Sequence, residues 1–488
     1  MNEVLCRELN KRRPDHFVGP VDNARLKQLL LGAFPLLAAL GPFASIAPGS
    51  SDFPYFYRLL LVCAAVPAVR ALSRHNGIRS RVLKWYLALT AIFCVWGPVT
   101  LLWNPNADSG RREVIGIALS LIGGLFALSL TEGRKGGIET LRLGFVVAFI
   151  AVAMIGAAEA ITGIHLFPLV GIPWLFPQTT IAATFNNPND YAVFLVACLG
   201  PILTGAIEGK TRGTRVAHGA LYLLAIQMIF LTNSRSGVLG AGIVTLIALL
   251  WVARRGFFLM LLTLAKFAFV TGTIMVVVQV MQPARDLTLQ ILAPFEKQST
   301  QADNLRWNLT VSGWRYFQDS PWLGTGAGSF REMLAFRDNT SITSGAVTAS
   351  HNAYLQMIAQ YGILIAIPLT ALTIGLFFWA TIYLRQSPAL AEARNLQIQT
   401  MFGLTAIVTG CLAESSAFSQ PTWWLVIAYV VSLVWSLSNE VDGSRRSARE
   451  TVAPDKPATP VSSISLIEPA WHLRTSTLSR DYRLGSKR

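Results

Sequence analysis

The sequence predicts an all-α polytopic membrane protein of about twelve transmembrane helices, and three observations predict it. Apolar runs of roughly 20 residues, the length that crosses a hydrocarbon core, recur along most of the chain. Only 14% of the 488 residues are charged while 52% are hydrophobic, too little charge to coat water-soluble domains of that total length. The basic residues, finally, collect in alternate connections, as they do where Lys and Arg stay on the cytoplasmic side.

The spans follow in order. The first half of the chain carries apolar runs at 26–47, 59–72, 82–103, 114–130, 143–162 and 191–207. The second half carries them at 217–232, 237–253, 257–281, 353–384, 398–412 and 423–437. An even number places both termini on one side. With the N-terminus inside, thirty of the 41 Lys and Arg fall in cytoplasmic segments, the arm 1–25 and the tail 439–488 included. Arg111 and Arg112 oppose the trend locally. The basic start leads into a full-length span, which reads as a retained anchor rather than a cleaved signal. The formal charge of +15 therefore belongs to topology and to anionic lipid head groups, not to nucleic acid. The tail, rich in Ser, Pro, Thr and Arg, is expected to be disordered. None of the five cysteines falls in an external loop, so neither a disulfide framework nor a thiolate zinc site is expected.

Chemistry is expected in two long external segments, 163–190 and 282–350. Within the second, Trp307, Val311, Trp314 and Phe317 recur at helical spacing after Asp303, a candidate N-cap, and predict a helix lying on the membrane surface or over the spans. Interfacial packing accounts for its aromatics. The run Ser320-Pro321-Trp322-Leu323-Gly324-Thr325-Gly326-Ala327-Gly328-Ser329-Phe330 resembles a phosphate loop only superficially, because no strand precedes it and no Lys-Ser/Thr follows. Its glycines suit a tight turn against the helices below, although bare amides could contact an anion.

His351 stands where the long loop enters a span. The positive end of a helix disfavours imidazolium, so the ring is suited to accept a proton; local capping is the competing account. Arg235 lies in the external turn Asn233-Ser234-Arg235-Ser236-Gly237, at the depth of lipid phosphates. A guanidinium there suits bidentate capture of a phosphate, with snorkelling as the alternative. Arg306, Arg315, Arg331 and Arg337 concentrate further guanidinium in the long loop. Glu159 and Lys266, within spans, are candidates by their cost in lipid, and snorkelling or a local partner accounts for either equally well. The chain contains no Asp-x-Asp, His-Glu-x-x-His, Walker or Gly-x-Ser-x-Gly sequence, which points to metal-free chemistry on an anionic lipid.

Four segments then carry a resemblance. Ala183-Thr184-Phe185-Asn186-Asn187-Pro188-Asn189-Asp190-Tyr191-Ala192, the turn at Arg235, the stretch from Arg306 to Phe330, and His351-Asn352-Ala353-Tyr354-Leu355-Gln356 with Tyr361-Gly362 are similar, in that order, to the O-antigen ligase and O-antigen polymerase family. The similar region covers about 183–363. The resemblance implies a bacterial inner-membrane glycosyltransferase with its active site facing the periplasm. It would move a glycan from undecaprenyl diphosphate to a hydroxyl of a lipid A core or of another lipid-linked unit, with inversion and without metal or other cofactor. It further implies that Arg235 and Arg306 bind the diphosphate and that His351 deprotonates the acceptor. Asn352, Tyr354, Gln356, Arg315, Arg331 and Asn189 are further contacts it suggests. Ligase and polymerase remain undistinguished, and a transporter of a small anion or solute is the alternative.

Overall fold

The computed structural model describes residues 23–41, 56–74, 81–165, 180–185, 187–253, 299–337, 352–386, 391–413 and 417–452. All regular structure among them is helical: α1 (Asn23–Leu40), α2 (Phe56–Arg74), α3 (Arg81–Val99), α4 (Ala107–Thr131), α5 (Lys135–Thr162), α6 (Pro188–Glu208) and α7 (Arg212–Leu231). There follow α8 (Arg235–Ala253), α9 (Ser299–Asp319), α10 (Phe330–Arg337), α11 (Ala353–Tyr361), α12 (Ile363–Gln386), α13 (Ala391–Ala413) and α14 (Pro421–Val452). Short 3-10 turns at Thr100–Trp103 and Ala417–Ser419 lead out of α3 and into α14.

Among the described residues, nine helices are long and apolar enough to cross a membrane: α2 to α8, α12 and α14. The expected span at 26–47 is helical as α1 up to Leu40 and that at 398–412 as α13, both outside those nine; residues 42–47 and the run at 257–281 lie outside the described residues. Val62, Leu102 and Ile161 stand exposed on the helix surfaces, which hydrocarbon solvates and water does not.

Two helices form the centre: 83% of the apolar window of α6, and likewise of α14, is buried. Small residues set the approach of their neighbours, as they do where helices must pack closely without a hydrophobic driving force. Gly200 of α6 lies against Phe402 of α13, and Gly410 lies against Trp423 of α14. Around this centre α1 packs on α5, α2 on α4, α3 on α12, and α6 on α7, α8 and α13.

The two ends of the bundle differ in chemistry. At one end Lys27 of α1 and Arg134 both pair with Glu132, and Lys135 of α5 pairs with Glu440 of α14 at 2.8 Å. These are segments that the charge distribution assigns to one side. The start of α4, the end of α5 and the starts of α6 and α8 lie at the other end.

Three expectations need correction. The apolar run 353–384 is not one span: Gly362, at φ +68°, breaks it into α11 and α12. Asp303 is not an N-cap, because α9 already begins at Ser299. The chain separates into units Met1–Asp442 and Gly443–Arg488, and α14 continues helical to Val452 where a disordered tail from 439 was expected. Residues 453–488 lie outside the described residues.

Candidate active site

The segments singled out by sequence are assembled in two clusters at the end opposite the ion pairs. The first joins the 180–190 segment to the turn between α7 and α8. Ile181 donates its amide to the Leu231 carbonyl at 3.2 Å, and Asn233 Nδ2 donates to Thr180 Oγ1 at 2.8 Å. Thr184 Oγ1 donates to the Ala39 carbonyl at 2.6 Å, tying the segment to the end of α1. Glu159, 3% exposed, accepts the amides of Ala182 and Ala183 on Oε2 at 2.9 and 2.7 Å, while His165 Nδ1 stands 3.7 Å from its Oε1. Of the two accounts of Glu159, the local partner is the one observed. The carboxylate also holds Ala183 in the left-handed region at φ +52°, a conformation that a residue with a Cβ seldom adopts unaided.

From this anchored segment α6 sets off with Asn187 as N-cap, its side chain accepting from Asn189, and Pro188 in the first turn, where its missing N–H removes no bond. Asn189 is half-buried there. Arg235, half-buried, opens α8, whose first turn is capped by Ser234 Oγ accepting from the Gly237 amide at 3.3 Å. A Cβ on Gly237 would stand 2.7 Å from the Ala192 Cβ, so α6 and α8 start side by side. Their positive ends therefore face the same region.

The second cluster is α9, the glycine run, α10 and α11. Leu309, Tyr316, Phe330, Leu334 and Ala359 form a small core of their own. The stripe of Trp307 and Trp314 faces outward, as a surface-lying helix requires, and the buried stripe is Leu309, Ser312 and Tyr316. Arg315 and Arg331 are exposed on α9 and α10. Arg306 lies in α9 where only the backbone is described, and His351 lies outside the described residues.

The glycine run is a clasp. Thr325 and Gly326 donate their amides to the carbonyls of Ala359 and Gln360, each at 3.0 Å, so these amides are engaged and unavailable to an anion. Trp103 Nε1 donates to the Gly324 carbonyl at 3.2 Å and Asn104 Nδ2 to that of Ala327, which fixes the clasp to the end of α3. Gly324 and Gly326 adopt φ +73° and +100°, and a Cβ on Gly324 would stand 2.2 Å from the Gln360 carbonyl oxygen. Glu113 of α4 completes the attachment, accepting from Tyr361 OH at 3.0 Å and from Gly328 and Gln360. Burial first, and then the neighbouring Glu113, push the Tyr361 phenol well above its usual range, so it serves as the donor.

α11 begins at the same end. Asn352 is its N-cap, Oδ1 accepting from the Leu355 amide at 3.0 Å. Tyr354 donates to Thr370 Oγ1 at 2.8 Å and meets Phe418 edge-on at 6.4 Å. Both residues thus have positions in the packing, and Gln356 is half-buried beside them. Sequence reasoning passed over Asp190, a carboxyl group 9% exposed in the first turn of α6, facing the turn into α14; the signal was an acidic residue heading an apolar span.

Comparison with known proteins agrees with this geography. Residues 220–370 match the family described as O-antigen ligase (Wzy_C), a region that holds the Arg235 turn, α9, the clasp and α11. The chain is also 23% identical over 402 residues, 78% of each chain, to the teichuronic acid biosynthesis protein TuaE of Bacillus subtilis (strain 168). The resemblance to the O-antigen ligase family is thus carried by an all-α polytopic membrane scaffold.

Proposed function

We propose that the protein is a glycosyltransferase that moves a glycan from undecaprenyl diphosphate to an acceptor hydroxyl at the periplasmic face of the inner membrane, as an O-antigen ligase or a repeat-unit polymerase. One observation carries the reading: Arg235, the starts of α6, α8 and α11, and the loop cluster above them share the bundle end opposite the Lys27, Glu132 and Glu440 ion pairs. Helix N-termini and a guanidinium at head-group depth favour a diphosphate. A transport path would instead call for such groups along the middle of the bilayer. TuaE, named for teichuronic acid biosynthesis, is compatible with either transfer reaction.

In this reading Arg235 and Arg306 hold the diphosphate and stabilise the charge that grows on it as the anomeric bond breaks. His351 takes the proton of the acceptor hydroxyl, which attacks the anomeric carbon from the side opposite the leaving diphosphate, so the configuration inverts. Asn352 fixes the start of α11 and hence the backbone next to His351. No step requires a metal ion or other cofactor.

The test is transfer by purified full-length protein given an undecaprenyl-diphosphate-linked oligosaccharide, with and without lipid A core. Product with the core assigns a ligase; lengthened lipid-linked glycan without it assigns a polymerase. His351→Ala is expected to abolish product at normal membrane abundance, and Arg235→Lys to slow it about tenfold or more, since an ammonium cannot supply the paired hydrogen bonds of the guanidinium. A chelator of divalent metals is expected to leave the rate unchanged. Full activity of His351→Ala would refute the assigned base.

A further inference from the structure

The glycine run is polar side in and apolar side out. Its hydroxyls turn inward: Ser320 Oγ donates to the Gly324 carbonyl at 3.0 Å, and those of Thr325 and Ser329 bond each other at 2.7 Å. Its two large apolar side chains turn outward, Trp322 at 70% exposure and Leu323 at 50%. No residue from Ser320 to Ser329 is charged. A turn that faced water would show the opposite arrangement. The place of the turn accounts for the reversal, because it is fastened where two spans end. The spanning stretch of α3 runs to Trp103, that of α12 starts at Ile363, and the two helices pack on each other. Trp103 bonds the Gly324 carbonyl, and Ile363 donates its amide to the Pro321 carbonyl at 2.8 Å. Next to these attachments Leu102 of the turn out of α3, 84% exposed, and Leu364 and Ile367 of α12 also face outward. The exposed pair is therefore continuous with the surface that the spans present to hydrocarbon.

We propose that the tip of the clasp, Trp322 with Leu323, is inserted into the lipid leaflet at this end of the bundle, at the boundary between head groups and acyl chains, and anchors the α9–α11 cluster there. An indole suits that boundary, since its ring is apolar and its N–H can reach the wet layer. Backbone at such a depth must find its partners within the protein. At the tip Pro321 has no amide to satisfy, the Gly324 amide donates to the Ser320 carbonyl at 2.9 Å, and the carbonyls of Pro321 and Gly324 accept the bonds already described. The clasp then fastens in two directions. Hydrogen bonds hold it to α3, α4 and α11, and Trp322 and Leu323 hold it to the leaflet. The start of α11 is thereby kept at one depth relative to the lipid phosphates.

The test needs no transfer activity, so its failure leaves the glycan-transfer reading untouched. Full-length protein is reconstituted into vesicles of phosphatidylethanolamine and phosphatidylglycerol whose acyl chains are unbrominated, brominated near the head group, or brominated near the terminal methyl. Bromine quenches an indole that it touches. Subtracting the fluorescence of Trp322→Phe from that of the wild type isolates Trp322 among the 13 tryptophans. That difference is expected to lose most of its intensity with bromine near the head group, less with bromine at the chain ends, and little with iodide in the water. Leu323→Trp supplies a second measurement that gains a signal instead of removing one, and the added fluorescence is expected to follow the same pattern. Quenching by iodide and not by bromolipid would place the tip in water and overturn the anchor. Indifference to both quenchers would place it against another protein surface, a second copy of the chain included, and would overturn the anchor equally.

Discussion

Glu159→Ala removes the acceptor of two successive amides, those of Ala182 and Ala183, at a site 3% exposed. Each buried donor left unpaired costs about 1–3 kcal/mol, so the two together cost about 2–6 kcal/mol. The backbone penalty at Ala183, φ +52° and about 1–2 kcal/mol, then persists with nothing to hold it, which favours release of the segment over retention with unpaired amides. Glu159→Gln keeps one oxygen in place and loses only the charge assistance, about 1–3 kcal/mol in all. The assay is thermal denaturation of the detergent-solubilised protein, followed by loss of the monodisperse fraction, together with protease sensitivity near residue 186 and the rate of glycan transfer. The expected order is wild type, then Gln, then Ala in all three measurements, because the released segment leads directly into the first turn of α6, which carries Asn189 and Asp190. An Ala variant with the wild-type midpoint and wild-type protease resistance would refute the claim that this carboxylate organises the loop.

Gly324→Ala forces a Cβ to 2.2 Å from the Gln360 carbonyl oxygen at φ +73°, and backbone on both sides cannot yield. The variant is expected to lose about 3 kcal/mol or more and to melt lower, whereas Gly136→Ala, with nothing within 4 Å of the added Cβ, is expected to melt with the wild type. Removal of residues 453–488 is expected to leave the transfer rate unchanged, since every segment assigned a role precedes Val452; a dead truncated enzyme would assign the tail a part in the reaction.

Much of this architecture is legible in the sequence because lipid imposes one simple rule: a spanning segment must satisfy its own backbone, so a long apolar run is a helix. The same rule hides what lies inside the runs. The break at Gly362 falls within the run 353–384, where no charged residue marks it, and is set by the clasp, where a Cβ on Gly362 would stand 2.5 Å from the Trp322 carbonyl oxygen. Burial is hidden as well, since an apolar side chain is content against lipid or protein. Hence Trp307 and Trp314 mark a helical face that turns outward, while Leu309 and Tyr316 make the contacts. Asp190 was passed over for a related reason: one acidic residue at the head of a span looks like a helix-capping charge until the opposing turn at Gln420 and Trp423 is seen.

The arrangement also explains why the glycine run, the feature most suggestive of phosphate binding, is the wrong place to look for it. Its amides at Thr325 and Gly326 close on α11, and Glu113 accepts from Gly328. What the run supplies is position: it fastens the α9–α11 cluster to the end of α3 and the start of α4, so that α11 begins beside Phe418 rather than drifting over the membrane surface. A loop of this length needs such fastening if a residue at its end is to meet a hydroxyl within hydrogen-bond reach. In the proposed reading the anion is left to the guanidinium of Arg235 and the positive ends of α6 and α8, whose charge and dipoles do not depend on the amides of the glycine run.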